Sequence, residues 1–472
     1  MKSDQDTKTL AVIVGNREYF PDELAEEGGK EVIKALRDLG FTILTSFSED
    51  RGAGSVQTRD DSKACAQILK ENADKIHGVL VTLPNFGDEK GIAETLKLSN
   101  LNVPVLVHGF PDELGKMDRA HRRDSFCGKI SVCNNLYQYG IPFTNTRYHV
   151  EAPDSQQFRE DILQFGKVCH TVRGLRNARL GAIGVRPNAF KTVRYSEKLL
   201  EKTGIALEVV NLMEIVGRAR DLEDTSPEVR KIRTQVEQLF TLENVPPEPI
   251  TKTAKLTAVI LEWVRENELD AVSFNCWPAI EKYYEIVPCA AMAMCSDFLV
   301  PAACETDVMG SLSMYALQLA SGKPAALADF NNNYGDDLEK CVLFHCSAFA
   351  PHFFEKCPEL TCHEMQGFYG SLSGKMKAGP VTLFRLETDD VNGKIKGYVT
   401  EGVITDDEVD TFGSYGVLEV EGLQSLLNYI TRNGFAHHVA LVRDHVAPVI
   451  QEAASTYLGW EIHTHKPYSE VT

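Results

Sequence analysis

The residue pattern predicts an α/β chain: two doubly wound units in succession, then a β-rich C-terminal part. Three observations predict it. Short apolar strands alternate with amphipathic helices over the first third, the alternation restarts near residue 179, and beyond about residue 352 it gives way to strands joined by Gly- and Asp-containing turns. At 472 residues the chain exceeds what one hydrophobic core serves. The expected domains are residues 1–173, 174–351 and 352–472.

The elements follow in order. Leu10–Val14 reads as a buried strand, and Lys30–Leu39 as a helix with Val32, Ile33, Leu36 and Leu39 on one face. Phe41–Thr45 is a strand and Asp61–Ala73 a polar helix. Gly78–Thr82 and Val103–His108 are strands separated by a helix over Glu89–Leu98. Helices at Asp124–Tyr139 and Gln156–Leu175 end the first unit. The second begins with strand Arg179–Val185, helix Asn188–Thr203 and strand Leu207–Leu212. Asp221–Phe240 is polar and helical, and the three prolines of Asn244–Pro249 mark a linker or turn. Helix Thr253–Glu266, strand Ala271–Asn275, helix Val308–Ala320 and strands Ala325–Asp329 and Val342–His345 complete this unit. Beyond it, Val381–Glu387, Gly397–Thr400, Gly416–Val420 and His438–Val442 read as antiparallel strands, and Val446–Leu458 as a terminal helix.

Charge and cysteine usage narrow the function classes. Lys and Arg number 49 against 67 Asp and Glu, a net charge of −18 with no long basic run. That argues against nucleic acid and anionic membrane partners. No apolar stretch approaches the length of a spanning helix, and residues 1–8 are polar, which argues against a signal peptide. The twelve cysteines then read as reduced thiols of a cytoplasmic protein, most of them small core residues. Cys341/Cys346 and Cys357/Cys362 lack CxxC spacing, which argues against a zinc knuckle.

Four segments place metal-competent side chains at the edges of apolar runs: Ala303–Asp307, Leu327–Phe330, Leu343–Cys346 and Gly434–Val439. A Glu, an Asp and one or more His form a hard O/N donor set that suits Mn²⁺, Mg²⁺ or Co²⁺. Glu305 and Asp307 face one way only if that stretch is extended; otherwise they are an acidic pair at the start of the helix near Val308. Asp329 ends a strand, where a buried carboxylate needs a partner such as a metal. His345 ends another, as a ligand or as a hydrogen-bonded core residue. In His437-His438 the side chains would point to opposite faces of a strand, so only one would ligate. In this reading the acidic and His motifs sit at strand C-terminal ends, where open α/β sheets bind ligands.

Other segments carry recognition chemistry or plain structure. The Gly15–Phe20 turn has no GxGxxG or P-loop pattern, so a nucleotide cofactor is unsupported. Its Arg17 either contacts a ligand or belongs to a turn that caps the next helix. Arg122–Lys129 either positions an anionic or polyhydroxylated group or is a capped helix start. In Ser273–Pro278, Trp277 stacks on a sugar face or packs in the core. Arg17, Arg122, Arg123, Lys129, Lys191 and Arg194 are cations near ligand loops, a supply that an anionic sugar would use.

Taken together, these residues resemble the L-fucose isomerase/L-arabinose isomerase superfamily, particularly its shorter fucose-isomerase-like branch, over nearly the whole chain. Val14–Arg17, Asp124–Lys129, Asn275–Pro278, Pro301–Asp307, Asp329 and Gly434–Val439 carry the resemblance, with a separation of 24 residues between Glu305 and Asp329. It implies two Rossmann-like domains followed by a β-rich, barrel-like domain. It also implies aldose–ketose isomerisation through a cis-enediol, dependent on Mn²⁺ with Co²⁺ or Mg²⁺ as alternatives. Candidate sugars are fucose, arabinose and 6-substituted hexoses such as sulfoquinovose. Glu305 and Asp329 would be metal ligands and the proton-transfer pair, with a histidine of His437-His438 completing the site. His345 would be an additional imidazole, and Arg17, Arg122, Lys129, Asn275, Trp277 and Asp307 candidate substrate contacts. The resemblance further implies a trimer- or hexamer-based homo-oligomer with sites at subunit interfaces.

The chemistry fits, since moving a carbonyl between neighbouring carbons needs a proton shuttle and stabilised enediolate charge, and no nicotinamide. A metal-dependent sugar aldolase or dehydratase would use the same stabilisation. A sugar-binding protein would need neither the clustered carboxylates nor the third domain.

Overall fold

The computed structural model describes residues 9–48, 54–346 and 348–465. The polar stretch 1–8 lies outside the described residues. The chain forms two compact units, Met1–Arg173 with Glu452–Gly459, and Gly174–Gln451 with Trp460–Thr472. Among the described residues, no helix is long and apolar enough to cross a membrane.

In the first unit, five parallel strands lie in the order Thr42–Thr45, Thr9–Val14, Gly78–Leu83, Val105–Gly109, Thr144–Asn145. Strand alternation sends Ala11, Ile13, Val79 and Val81 to one face, against Ile92, Leu96 and Val132. Leu10, Val12, Leu80 and Leu106 go to the other, against Val32, Ile33, Leu36 and Phe158. The first helix spans Asp22–Asp38 and so starts well before the expected Lys30. Its first half is masked in sequence by Gly28 and Gly29. A Cβ at these positions would meet Pro84 at 2.6 Å and the Phe47 ring at 2.8 Å, so close packing requires the glycines that weaken the helical pattern. The expected terminal helix is an α-helix only over Ala447–Gln451, followed by a π-helical turn Glu452–Tyr457 that belongs with the first unit. There the Tyr457 hydroxyl donates to the Val105 carbonyl at 3.1 Å.

The second unit opens with a four-stranded parallel sheet, ordered Ala206–Val210, Arg179–Ile183, Ala271–Phe274, Ala302–Ala303. The helix expected over Asn188–Thr203 is instead a 3₁₀ turn Lys191–Val193 and a short helix Glu197–Lys202. Asn188, Thr192, Val193, Tyr195 and Ser196 all favour helix weakly. The polar segment expected over Asp221–Phe240 is helical from Pro227 to Leu239, started by the Ser226 cap. The expected Pro-rich linker is largely the first turn of helix Pro247–Glu266, a position that tolerates proline.

The main departure from the sequence reading lies in the next two strands. Ala326–Tyr334 and Asp337–His345 pair antiparallel with each other and belong to a nine-stranded sheet, not to the parallel sheet expected to hold them. Within it, Ser414–Glu419, Asp337–His345, Ala326–Tyr334, His438–Val442, Gly379–Asp389 and Lys394–Ile404 follow one another. Pairing of Val403 and Ile404 with Glu419 and Leu418 closes these six strands into an antiparallel barrel. The barrel therefore begins at Ala326, ahead of the boundary expected at residue 352. The inner halves of the two strands are continuous apolar runs, which in sequence resemble buried parallel strands. Sequence reading also missed strands Glu359–Cys362, Tyr369–Lys375 and Glu461–Thr464 and helix Leu423–Arg432. The two Rossmann-like parallel layers and the barrel are otherwise the architecture that the resemblance implied.

Candidate active site

Register brings the first two site residues together. Asp329 lies directly opposite His438 in the antiparallel pair Ala326–Tyr334/His438–Val442, and opposed residues share a face. His438 Nε2 is 3.4 Å from Asp329 Oδ1 and 3.4 Å from Glu305 Oε2. Glu305 arrives from the other layer, on the 3₁₀ turn Cys304–Thr306 that follows strand Ala302–Ala303. Its φ of 54°, matched at Thr306, is left-handed backbone that costs a non-glycine residue about 1–2 kcal/mol. The stretch is thus not extended, and Glu305 and Asp307 do not face one way.

Asp307 stands behind the histidine. It is fully buried, caps the helix Val308–Ser321 through Gly310 N–H at 2.8 Å, and accepts from His438 Nδ1 at 2.8 Å. Arg385, also fully buried, holds both Asp307 oxygens with its two terminal nitrogens and donates through Nε to Glu387 at 2.9 Å. Burial would raise the Asp307 carboxyl, but Arg385 and His438 outweigh it and hold it well below the usual range. Asp307 is therefore a charged acceptor with no access to a sugar, contrary to the substrate contact expected of it. The bond from Nδ1 to Asp307 orients the ring so that Nε2 faces Glu305 and Asp329.

That arrangement fits a cation. Glu305 Oε2 and Asp329 Oδ1 are buried oxygens with no hydrogen-bond partner, both facing His438 Nε2. Metal–ligand bonds of ~2.0–2.4 Å set neighbouring donor atoms about 3 Å apart, close to the spacings seen here. Donor atoms of Glu305, His345 and His438 lie within 4.8 Å of one another, as do those of Asp329, His437 and His438. Burial raises the Glu305 carboxyl above its ordinary value, outweighing the pull of His438 and His345.

The two histidines do not point apart as expected. His437 precedes the strand that starts at His438, so strand alternation does not govern it, and its Nε2 also lies near Asp329, at 3.7 Å. His437 is 41% exposed and His438 1%. His345 Nε2 is 4.0 Å from Glu305 Oε2. Trp277 Nε1 donates to Glu305 Oε1 at 3.2 Å, and its ring packs edge-on to Phe190 with centroids 5.5 Å apart.

The other expected contacts behave differently. Asn275 is buried and its amide donates to the Val185 carbonyl, holding the loop after strand Arg179–Ile183. Lys129 is fully buried in the first unit, where Nζ donates to Thr146 Oγ1 at 2.7 Å, and burial pulls its pKa down to about 8. It is not displayed for a ligand as expected. Arg17 pairs with Glu89 at 2.8 Å over the Phe86 ring, and exposed Arg122 pairs with Asp124 at 2.6 Å. Sequence reading missed Phe190, Arg385 and Glu387. The signal available was the charged pair Arg385/Glu387, two apart on one face of an apolar strand.

Comparison with known proteins decides the lineage. Residues 11–176 match the model of the fucose/sulfoquinovose isomerase N-terminal domain, and residues 343–466 that of the L-fucose isomerase C-terminal domain. The chain belongs to the fucose isomerase family. It is similar to a curated sulfoquinovose isomerase of Priestia megaterium, 26% identical over 388 residues that cover 81% of this chain and 82% of that one. A sulfoquinovose isomerase of Alkalicoccus urumqiensis is also 26% identical, over 413 residues covering 83% and 86%. As a fucose isomerase family member the chain is an aldose–ketose sugar isomerase, an intramolecular oxidoreductase.

Proposed function

We propose that this isomerase interconverts a 6-sulfonated aldose of the sulfoquinovose type and its 2-ketose, with Mn²⁺ as resident metal and Glu305 and Asp329 as the proton-transfer pair. The observation that carries it is His438 Nε2, oriented by Asp307 between two buried carboxylate oxygens that lack partners. Glu305, Asp329 and His438 would hold the ion, with His437 or His345 adjoining it. When bound, a divalent ion supplies charge stabilisation to the enediolate and orients the two substrate oxygens. One carboxylate removes the C2 proton and a proton is returned to C1, while the hydroxyl proton passes from O2 to O1. Trp277 steadies Glu305 through its indole N–H and, with Phe190, gives the sugar an apolar wall.

Proton NMR of candidate aldoses with the EDTA-stripped protein, before and after Mn²⁺ is added, tests this reading. Only the metal-restored protein should yield a ketose, of mass equal to the aldose. Fragments or loss of water would instead mark an aldolase or dehydratase.

The sulfonate assignment rests on the relatives' substrate and on charge placement. A buried anion needs charged donors. Lys191 and Arg194 follow Phe190, whose ring is 5.8 Å from that of His437, and both are exposed. Arg194 donates through Nε to the Lys191 carbonyl at 2.8 Å, and its terminal nitrogens remain to meet an anion. Arg194→Met should raise KM for the sulfonated sugar about 10- to 100-fold, the worth of one charged hydrogen bond, and leave KM for a neutral 6-deoxy sugar nearly unchanged. Equal losses on both sugars would remove the sulfonate assignment.

The reading also takes the enzyme as a cytoplasmic homo-oligomer, trimer- or hexamer-based. The family's subunit-shared sites support it, as do the charged residues Arg17 and Arg122 at loops of the first sheet.

A further inference from the structure

Beside the carboxylate–imidazole site, the second unit gathers thiols that sugar chemistry does not use. We propose that Cys304, His345 and Cys346 form a second, thiophilic metal site that takes Zn²⁺. Their donor atoms all lie within 4.8 Å of one another. Cys346 Sγ is 3.5 Å from His345 Nδ1, and Cys289 Sγ is 3.9 Å from Cys346 Sγ. A tetrahedral Zn²⁺ with Zn–S of ~2.3 Å and Zn–N of ~2.0 Å has S···S edges of about 3.8 Å and S···N edges of about 3.5 Å. The His345–Cys346 spacing matches the S···N edge, and the Cys304 sulfur lies within the 4.8 Å that all three donors share.

The ligands come from separate elements: the turn Cys304–Thr306, and the end of strand Asp337–His345 with Cys346 just after it. No short sequence motif could therefore reveal the cluster. None of these cysteines is in a disulfide, and Cys346 is only half-buried, which gives an ion a way in. Thiolates select Zn²⁺ where carboxylates and water suit Mn²⁺ and Mg²⁺, so two neighbouring sites can sort two kinds of ion. Binding releases two thiol protons to solvent and involves no redox change.

His345 joins the two sites. Its Nδ1 faces Cys346 and its Nε2 lies 4.0 Å from Glu305 Oε2. A metal on Nδ1 puts the ring hydrogen on Nε2, aimed at the unpartnered Glu305 oxygen. Zinc at the thiols would thus turn His345 into a hydrogen-bond donor and withdraw it from the Glu305/His345/His438 donor set.

Titration of the reduced, chelator-stripped full chain with Co²⁺ tests the site. A thiolate-to-cobalt charge-transfer band should grow to saturation at one thiolate-bound ion per chain, and Zn²⁺ should abolish it. Cobalt held by carboxylates and imidazoles gives no such band, so the readout is separate from isomerase activity. Cys304→Ser and Cys346→Ser should each lose the band, and Cys341→Ser, outside the cluster, should keep it. Should the serine variants fail to fold by circular dichroism, Zn²⁺ should still shield wild-type Cys346 from iodoacetamide in peptide mass spectra. No band in the wild type, a band unchanged in both variants, or equal alkylation with and without Zn²⁺ would overturn the site.

Discussion

Glu305→Gln is expected to abolish isomerisation while leaving the fold intact, and Asp329→Asn to do the same. General acid–base groups contribute about 10²–10⁴-fold, and each change here also removes a charge from the proposed metal site, so a loss of kcat near the top of that range or beyond is expected. Both substitutions nearly preserve shape. In Glu305→Gln the amide oxygen can keep the bond from Trp277 Nε1, while the neutral amide nitrogen replaces the oxygen that faces His438 Nε2. The left-handed backbone at Glu305 is served no worse by glutamine. The measurement is kcat at saturating Mn²⁺, with thermal unfolding as the control. Wild-type-like turnover in either variant would contradict the assigned roles, and loss of folding in both would move the carboxylates from chemistry to structure.

Part of this site was legible in the sequence because its donors end apolar runs. Asp329 and His438 are read from the strands that hold them, and Glu305 from the acidic turn before an apolar helix. Their meeting was not legible, because it depends on an antiparallel register, Asp329 opposite His438, between strands far apart in the chain. The same long-range pairing moved Ala326–Tyr334 and Asp337–His345 from the expected parallel layer into the barrel. Local pattern records burial, and burial on both faces looks alike in the two settings. Asp307 shows the limit for side chains: its sequence neighbourhood fits a helix cap, which it is, but not its second bond to His438. Lys129 shows the converse, a cation that reads as surface chemistry yet lies fully buried against Thr146.

Arg385→Met is expected to destabilise the protein by about 3–5 kcal/mol, the cost of stranding a buried charge whose partner has been removed. Asp307 and Glu387 both turn to this guanidinium, and Arg385 and Asp307 are fully buried. Glu387 is raised by burial and can take up a proton, whereas Asp307, once Arg385 is gone, keeps only His438 to set against its burial. Adding Asp307→Leu should therefore restore much of the lost stability, because the stranded carboxylate goes with it. It should not restore the site. His438 Nδ1 would have lost its acceptor, the ring would be free to change tautomer, and Mn²⁺ affinity should fall about 10- to 100-fold, as when a ligand's hydrogen-bond partner is removed. Denaturant unfolding and Mn²⁺ titration calorimetry on the single and double variants separate the two effects. Arg385→Met with wild-type stability would mean that the buried pair is not what holds this layer. A double variant that binds Mn²⁺ as tightly as wild type would show that His438 is aimed by packing alone, with Asp307 serving only as the cap of its helix.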